Sequence, residues 1–394
     1  MVFLVPVVLF LSNLLNYVDR QLFSALFPVL TSVYRLSDVQ VGLLGSAFTF
    51  SYLLAAPLAG ILSDRLNSRW ILGMGILLFS LGMLICASSL HVQGLFAGRM
   101  LTGAGEAALL VVGPQIFGIQ DRPGLRIGFF LSAMPIGGAI GFALAMRSPQ
   151  VPVSQVLMIP VFPGLLLGGL LFFIPYALPF KGAGAYGIRS SAGLLLRNRN
   201  LLSLIGVQIC NAFLLGGMAV WISLYLTREK HLSPPVGSML TGVSLVVGGF
   251  LGMILLGILC DRTRTDDSRG VFQLIQAGQF LSFAGIMVVL FGKSEPVLLL
   301  GLLLSSVGLF GINVPLLVAF MRLCDAQVWG MLLGTSLLLT HLFGDLPSSY
   351  FIGLLSSHMG LSNALLLLLP LAETLGVVIL WKTLRVPCSS RFME

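Results

Sequence analysis

The sequence predicts an all-α integral membrane protein of twelve transmembrane helices, arranged as two six-helix bundles. Composition is the first reason. Hydrophobic residues make up 57% of the 394 residues and charged residues 9%, whereas a soluble domain carries about 25% charged residues. Apolar stretches of roughly 20 residues, each able to cross a bilayer as a helix, recur along the whole chain. The second reason is a repeat. Gly60-Ile61-Leu62-Ser63-Asp64-Arg65 returns half a chain later as Gly257-Ile258-Leu259-Cys260-Asp261-Arg262, with five of the six residues identical. Each copy ends an apolar run and turns into a charged loop. A half-length repeat in so apolar a chain implies two similar bundles, the layout of a transporter whose substrate site lies where two halves meet.

The spans expected in order are 3–31, 39–63, 70–90, 92–118, 125–146, 156–180, 201–227, 235–260, 270–291, 296–321, 328–356 and 361–381. The first is too long, and lacks the basic start, for a cleaved signal peptide. With both termini cytoplasmic, Lys and Arg fall three to one on the inner loops, against Arg35, Arg147, Arg228, Lys230 and Lys293 outside. That bias fixes the orientation. The net charge of +8 therefore reports topology, and no nucleic-acid partner is expected. Residues 181–200 break the apolar pattern with Gly, Ser and the cations Lys181, Arg189, Arg197 and Arg199. They are expected to form a cytoplasmic linker between an N-terminal bundle (1–180) and a C-terminal bundle with a short tail (201–394). As a basic strip they could also rest on anionic lipid. The five cysteines are scattered and read as apolar packing residues, with no disulfide framework and no metal site. No cofactor is implied, and no Gly-x4-Gly-Lys-Ser/Thr loop supplies an ATP motor. Glycines cluster within spans, as in Gly98-x4-Gly103-x-Gly105 and Gly137-Gly138-x2-Gly141. Close helix packing is their expected role, with direct substrate contact as the alternative.

Ionisable residues within spans cost at least about 2.5–3.5 kcal/mol each on insertion scales and mark substrate or ion paths. Here they are Asp19 and Arg20 in the first span, Arg99 and Glu106 in the fourth, His341 and Asp345 in the eleventh and Glu373 in the twelfth. Asn13, Asn16 and Arg20 share one helical face, while Asp19 is turned about 100° away. Arg99 and Glu106 share a face but lie about 10 Å apart along the axis, so each needs a partner elsewhere. An Arg20–Glu106 pair between spans one and four is the first expectation, either at the working site or as a structural ion pair. His341 and Asp345, one turn apart, can form a proton-responsive pair or a structural hydrogen bond. Glu373 has no polar companion at helical spacing and is expected to be structural or partly water-exposed. At the repeat, Asp64 and its copy Asp261 can accept the free N–H groups at the start of a neighbouring helix, where the dipole favours an anion. Gly60, Asp64, Arg65, Arg69, Asp261 and Arg262 are thus candidates for a cytoplasmic gate.

These elements resemble a known family. Gly60-x-Leu62-x-Asp64-Arg65-x3-Arg69 is similar to the loop signature of the major facilitator superfamily. Asn16-Tyr17-Val18-Asp19-Arg20, Arg99-x3-Gly103-Ala104-Gly105-Glu106-Ala107 with Pro114, and His341-Leu342-Phe343-Gly344-Asp345 resemble elements of its Spinster-like group. The resemblance implies the major facilitator fold and a carrier for lysophospholipids or sphingoid phosphates such as sphingosine-1-phosphate. It makes Asp19 and Glu106 protonatable coupling residues, with Arg20 and Arg99 their partners or phosphate ligands. Ala108-Leu109-Leu110-Val111-Val112 departs from the more polar run the group carries after its Glu-Ala, and Leu346-Pro347-Ser348 departs in the order of Ser and Pro.

The function expected is a secondary active, proton-coupled transporter of an anionic amphiphile working by alternating access. It is expected to act as a monomer in a bacterial inner membrane, with protons and membrane lipids as its other partners. A proton-coupled multidrug efflux antiporter is the alternative, and the two fixed positive charges of Arg20 and Arg99 favour the anionic headgroup over it. A non-transporting receptor or scaffold would use soluble extensions, and only about a dozen residues follow the last span. Enzymatic activity is not expected, because no nucleophile–base or metal arrangement appears at workable spacing.

Overall fold

A computed structural model of the chain describes residues 4–36, 38–119, 121–145, 151–173, 198–264, 269–324 and 326–384. Most of the expected linker, Arg147 and the C-terminal tail lie outside these residues. The described chain is a succession of helices at the places the apolar runs predict. Ten are long and apolar enough to cross a membrane. The first and eleventh spans, which carry Asn16, Asp19 and Arg20 and His341 and Asp345, fall outside those ten. The first is divided into Leu4–Ala25 and Phe27–Tyr34, and the eleventh into Trp329–Thr340, a π-helical turn His341–Asp345 and Leu346–Met359. In these two spans charge and irregular backbone coincide, and π turns are frequent at functional places in helices. A second π turn, Ser244–Gly248, interrupts the eighth span between Pro234–Val243 and Gly249–Asp261.

Local chemistry accounts for the helix ends. Asn67 accepts the N–H of Arg69 at 3.2 Å to start the third span, Ser68–Ser88. Asn198 accepts from Asn200 at 2.9 Å and Leu201 at 3.3 Å to start the seventh, Arg199–Arg228. Such caps satisfy donors that the helix leaves free. The sixth span breaks between Val153–Met158 and Val161–Phe173 at Pro160, which has no N–H to continue the ladder. Gly360, at φ 84°, makes the turn between spans eleven and twelve, a conformation other side chains resist.

By contact the chain divides into two units. One comprises Met1–Gln120, Ala133–Ser191 and Ala326–Leu338; the other comprises Asp121–Ser132, Ala192–Asp325 and Leu339–Glu394. Each unit therefore takes in one short segment from the opposite half of the sequence. In the first unit, spans three and four (Val92–Gly118) pack glycine on glycine: a Cβ at Gly75 or Gly82 would overlap Gly105 or Gly98. Gly103 brings the second span, Asp38–Arg65, against the fourth at Phe48 and Ser51, and Gly137 and Gly141 bring the fifth onto Leu14 and Val18 of the first. Leu22, Phe23 and Leu26 form an apolar core with Leu44, Met83 and Leu95. In the second unit, Gly278 and Gly285 of the ninth span (Arg269–Phe291) pack on Gly308 and Gly301 of the tenth (Glu295–Gly311). Packing is thus what most of the clustered glycines do, since small residues let helix backbones approach.

Candidate functional site

Four ionisable side chains of spans one and four meet in the first unit. Asp19 and Glu106 are fully buried, Arg99 is 3% exposed, and Arg20 is half-buried. Arg20 and Arg99 both lie within Coulombic reach of Glu106, and Asp19 within that of Arg99 and Glu106. The direct partner of Glu106 is the amide of Asn16. Oriented with its nitrogen toward the acid, as the surrounding donors and acceptors require, it donates to the two carboxylate oxygens at 2.8 and 3.0 Å. A neutral group thus satisfies the acid without cancelling its charge. The sequence offered Asn16, on the face it shares with Asn13 and Arg20, as a substrate-binding or charge-partner residue; here its amide lies against the charge of Glu106.

Asp19 is held differently. Neither of its oxygens has a hydrogen-bond partner among the described residues. An unpaired carboxylate so buried costs several kcal/mol while it is charged.

The two arginines are lodged among aromatic rings. Arg20 lies 4.9 Å from the centre of Phe48 and 5.9 Å from that of Tyr52, while Arg99 lies 4.4 Å from Phe23 and 4.3 Å from Phe48. Phe48 is shared by both guanidinium groups. Each contact is worth about 0.5–2 kcal/mol, more when water is excluded. Nε and Nη1 of Arg99 have no hydrogen-bond partner among the described residues, so the rings hold the group while leaving donors open. Sequence reasoning missed Phe23, Phe48 and Tyr52. The available signal was the one-turn spacing of Phe48 and Tyr52 and of Asp19 and Phe23, faint among 27 phenylalanines.

The repeated element caps two helices. Asp64 accepts the N–H groups of Gly330 at 3.2 Å and Met331 at 3.1 Å, at the start of Trp329–Thr340 and inside the first unit. Asp261 accepts those of Gly124 at 2.7 Å and Leu125 at 2.8 Å, at the start of Pro123–Leu131 and inside the second unit. Backbone fits backbone beside each cap. A Cβ on Gly60 would overlap the carbonyl of Gly330, and one on Gly257 that of Gly124. Ser63, whose hydroxyl donates to the Gly60 carbonyl at 2.8 Å and accepts from Gln115 at 3.2 Å, lies under Gly330 as Cys260 lies under Gly124. The arginines of the repeat take no part in the caps: Arg65 and Arg262 are exposed, and Arg69 lies over Trp70, 5.7 Å from the ring centre.

His341 Nδ1 stands 3.0 Å from both carboxylate oxygens of Asp345 across the π turn, in the second unit. Both side chains are partly exposed. A Cβ on Gly216 of the seventh span would press on Asp345 at 2.7 Å, so that glycine seats the acid. Of the two alternatives expected for Glu373, structural or partly water-exposed, its burial excludes the second. It is 2% exposed, and its polar companions come from the ninth span, a relation that helical spacing along its own span could not reveal.

A sequence model of the Major Facilitator Superfamily matches residues 9–334. Among curated proteins, the chain is 27% identical over 397 residues to protein spinster homolog 1 of Xenopus laevis, covering 90% of this chain and 73% of that one. It is 29% identical over 274 residues to the sphingosine-1-phosphate transporter SPNS2 of Xenopus tropicalis, covering 63% and 52%. Among solved structures, the E. coli fucose:proton symporter FucP superposes with a TM-score of 0.79 at 17% identity, over 96% of this chain and 98% of that one. The human organic anion transporter MFSD10 does so with a TM-score of 0.75 at 19% identity, over 96% and 98%. At such identities these structural likenesses establish fold.

Proposed function

The chain belongs to the Major Facilitator Superfamily, and from that premise we propose a proton-coupled carrier for an anionic amphiphile. As a Spinster-like secondary transporter it takes a small-molecule or lipid substrate across the membrane that its spans cross. The reading beyond that, a lysophospholipid or sphingosine-1-phosphate-like lipid, rests on one observation: two buried acids and two ring-held arginines within one unit. The substrate printed in the name of SPNS2 supports the same reading. Glu106 is held by a neutral amide and Asp19 by nothing among the described residues. Each can therefore gain or lose a proton without a direct ion pair being broken first. The open donors of Arg99, and Arg20 beside it, suit a phosphate, which planar guanidinium groups grip better than a lysine's point charge does.

In this reading the bundles are 1–180 and 201–394, joined by a cytoplasmic linker at 181–200. Both termini lie in the cytoplasm of a bacterial inner membrane, and the protein acts as a monomer. The caps made by Asp64 and Asp261 are cytoplasmic latches. Each fastens a helix start from one half of the sequence to a helix end of the other, and each must let go for alternating access. His341 and Asp345 are the substrate-binding or charge-partner residues of the second unit.

The test is a chain-length series of lysophospholipids bound to wild type, Arg20→Lys and Arg99→Lys. Each added methylene should contribute up to about 0.8 kcal/mol until the apolar space is filled. The Lys variants should weaken every chain length by a similar factor and leave that slope intact. If lipophilic cations bind better than the lipids, and losing an arginine improves them further, the efflux reading replaces this one.

A further inference from the structure

The second unit buries a carboxyl that the transport reading leaves unused. Glu373, on the twelfth span (Leu361–Leu384), is 2% exposed, and Gln279 and Ser282 of the ninth span are 1% and 0% exposed. The Ser282 hydroxyl faces the Glu373 carboxyl. One turn along the same helix contact, Gln279 occupies the space left by Gly376, where a Cβ would overlap its amide nitrogen. The glycine admits the amide between the helices. Among the described residues, Oε1 of Glu373, Oε1 of Gln279 and Oγ of Ser282 have no hydrogen-bond partner. Buried polar atoms without partners are rare because desolvation is then uncompensated, so three in one place need an explanation.

Counting hydrogens supplies one. An ionised glutamate offers acceptors alone, and a glutamine Oε1 likewise accepts alone. The Ser282 hydroxyl is then the one O–H group among these three oxygens, the amide nitrogen of Gln279 lying against Gly376. One added proton changes the count. Protonated Glu373 donates to Ser282 Oγ, and the Ser282 hydroxyl, rotated, donates to Gln279 Oε1, three residues away on the same helical face. All three oxygens are then joined, and no charge is left without water.

The surroundings fit a neutral acid. Spans seven, nine and eleven pack on span twelve. Among the described residues, Cys210 of span seven is the titratable neighbour of Glu373. The charged side chains of these helices stand at their ends, namely Arg199, Arg228, Arg269, His358 and Lys382, and His341 and Asp345 pair with each other. We propose that Glu373 is a proton-binding site of the second unit, heading a short hydrogen-bonded chain through Ser282 to Gln279. The proposal does not depend on the substrate or on coupling at Asp19 and Glu106.

Infrared difference spectra of the purified full chain test it without any transport assay. At neutral pH, wild type minus Glu373→Gln should show the stretching band of one protonated carboxyl that is lost in the variant; Asp19 and Glu106 cancel because both proteins hold them. Spectra that coincide in that region overturn the proposal. Thermal melts in sodium and in choline buffers give a second reading. Glu373→Gln, whose amide still donates, should melt close to wild type, and Glu373→Leu, which removes the donor, should melt lower. If sodium raises the melting point of wild type but not of Glu373→Gln, the site holds a metal cation and the proposal fails.

Discussion

The two units are built on one pattern and carry different chemistry. Gly75, Gly82, Gly98 and Gly105 of the first recur at a constant offset as Gly278, Gly285, Gly301 and Gly308 of the second, and each set makes the same helix contact. By that offset the position of Glu106 is taken by Leu309. Asn16, two residues past the Leu14 carbonyl that meets Gly137, has its counterpart in Asn211, two residues past the Ile209 carbonyl that meets Gly344. In the first unit the asparagine donates to a carboxylate; in the second it donates to the backbone carbonyl of Leu309 at 3.1 Å. The polar side chain was kept in both copies, but its charged partner stands in one alone. Packing tolerates little change because any added atom meets backbone, whereas a side chain facing open space is free to diverge.

Making the first unit resemble the second should have the largest effect. Glu106→Gln keeps shape and hydrogen bonding but removes the titratable proton, and proton-driven accumulation in proteoliposomes should vanish. Exchange between equal pools should survive, because it needs no net proton movement; wild-type accumulation would end the coupling role of Glu106. The converse change, Asn211→Leu, should leave transport intact and lower stability by about 0.5–1.5 kcal/mol, the value of one ordinary hydrogen bond.

Phe48 is the next point of contrast, since the repeat places Leu245 opposite it. Phe48→Leu removes the ring shared by the two arginines. Binding of an anionic lipid should weaken about tenfold, the scale of one desolvated cation–π contact, with the pH dependence of transport unchanged. An unaltered dissociation constant would show that the ring does not position them.

The two latches should respond unequally. Asp64→Asn and Asp261→Asn each remove a charge from a helix start, worth about 1–2 kcal/mol where partly buried, or roughly a 5–30-fold change in population ratio. Labelling of cysteines from the cytoplasmic side should rise in both. Asp261→Asn should have the larger effect, because its bonds are 2.7 and 2.8 Å against 3.2 and 3.1 Å for Asp64. Equal, unchanged labelling would count against a gate. The smallest effect belongs to Arg65→Gln and Arg262→Gln. Both side chains are exposed, so each change should stay within about 0.5 kcal/mol of wild-type stability, as unfolding will show.

The contrast between units also explains what the sequence revealed. Span positions followed from apolar length alone, and the capping role of the repeated aspartate followed from a carboxylate at a loop beside helix starts. Which helices are capped did not follow, because the receiving residues lie far along the chain. Their signal, Gly124 and Gly128 opening one helix and Gly330 and Gly334 opening another, is weak among 46 glycines. Burial chemistry was less visible still. The ring shared by two arginines and the companions of Glu373 come from neighbouring spans, and periodicity along one helix carries no information about what faces it.

The π turn at His341–Asp345 has a practical consequence for anyone mapping the eleventh span by substitution. A π turn holds one residue more than the α-helix around it, so the helix leaves it rotated by about 100° from the phase in which it entered. A scan of single cysteines should therefore give one accessible stripe up to Thr340 and a stripe displaced by one residue from Leu346 onward. Deleting one residue within the turn would bring the two stripes into line, turning Tyr350 and the rest of the helix onto a new side while leaving its length nearly unchanged. The turn acts as a phase shifter, letting a single span answer to two different sets of neighbours.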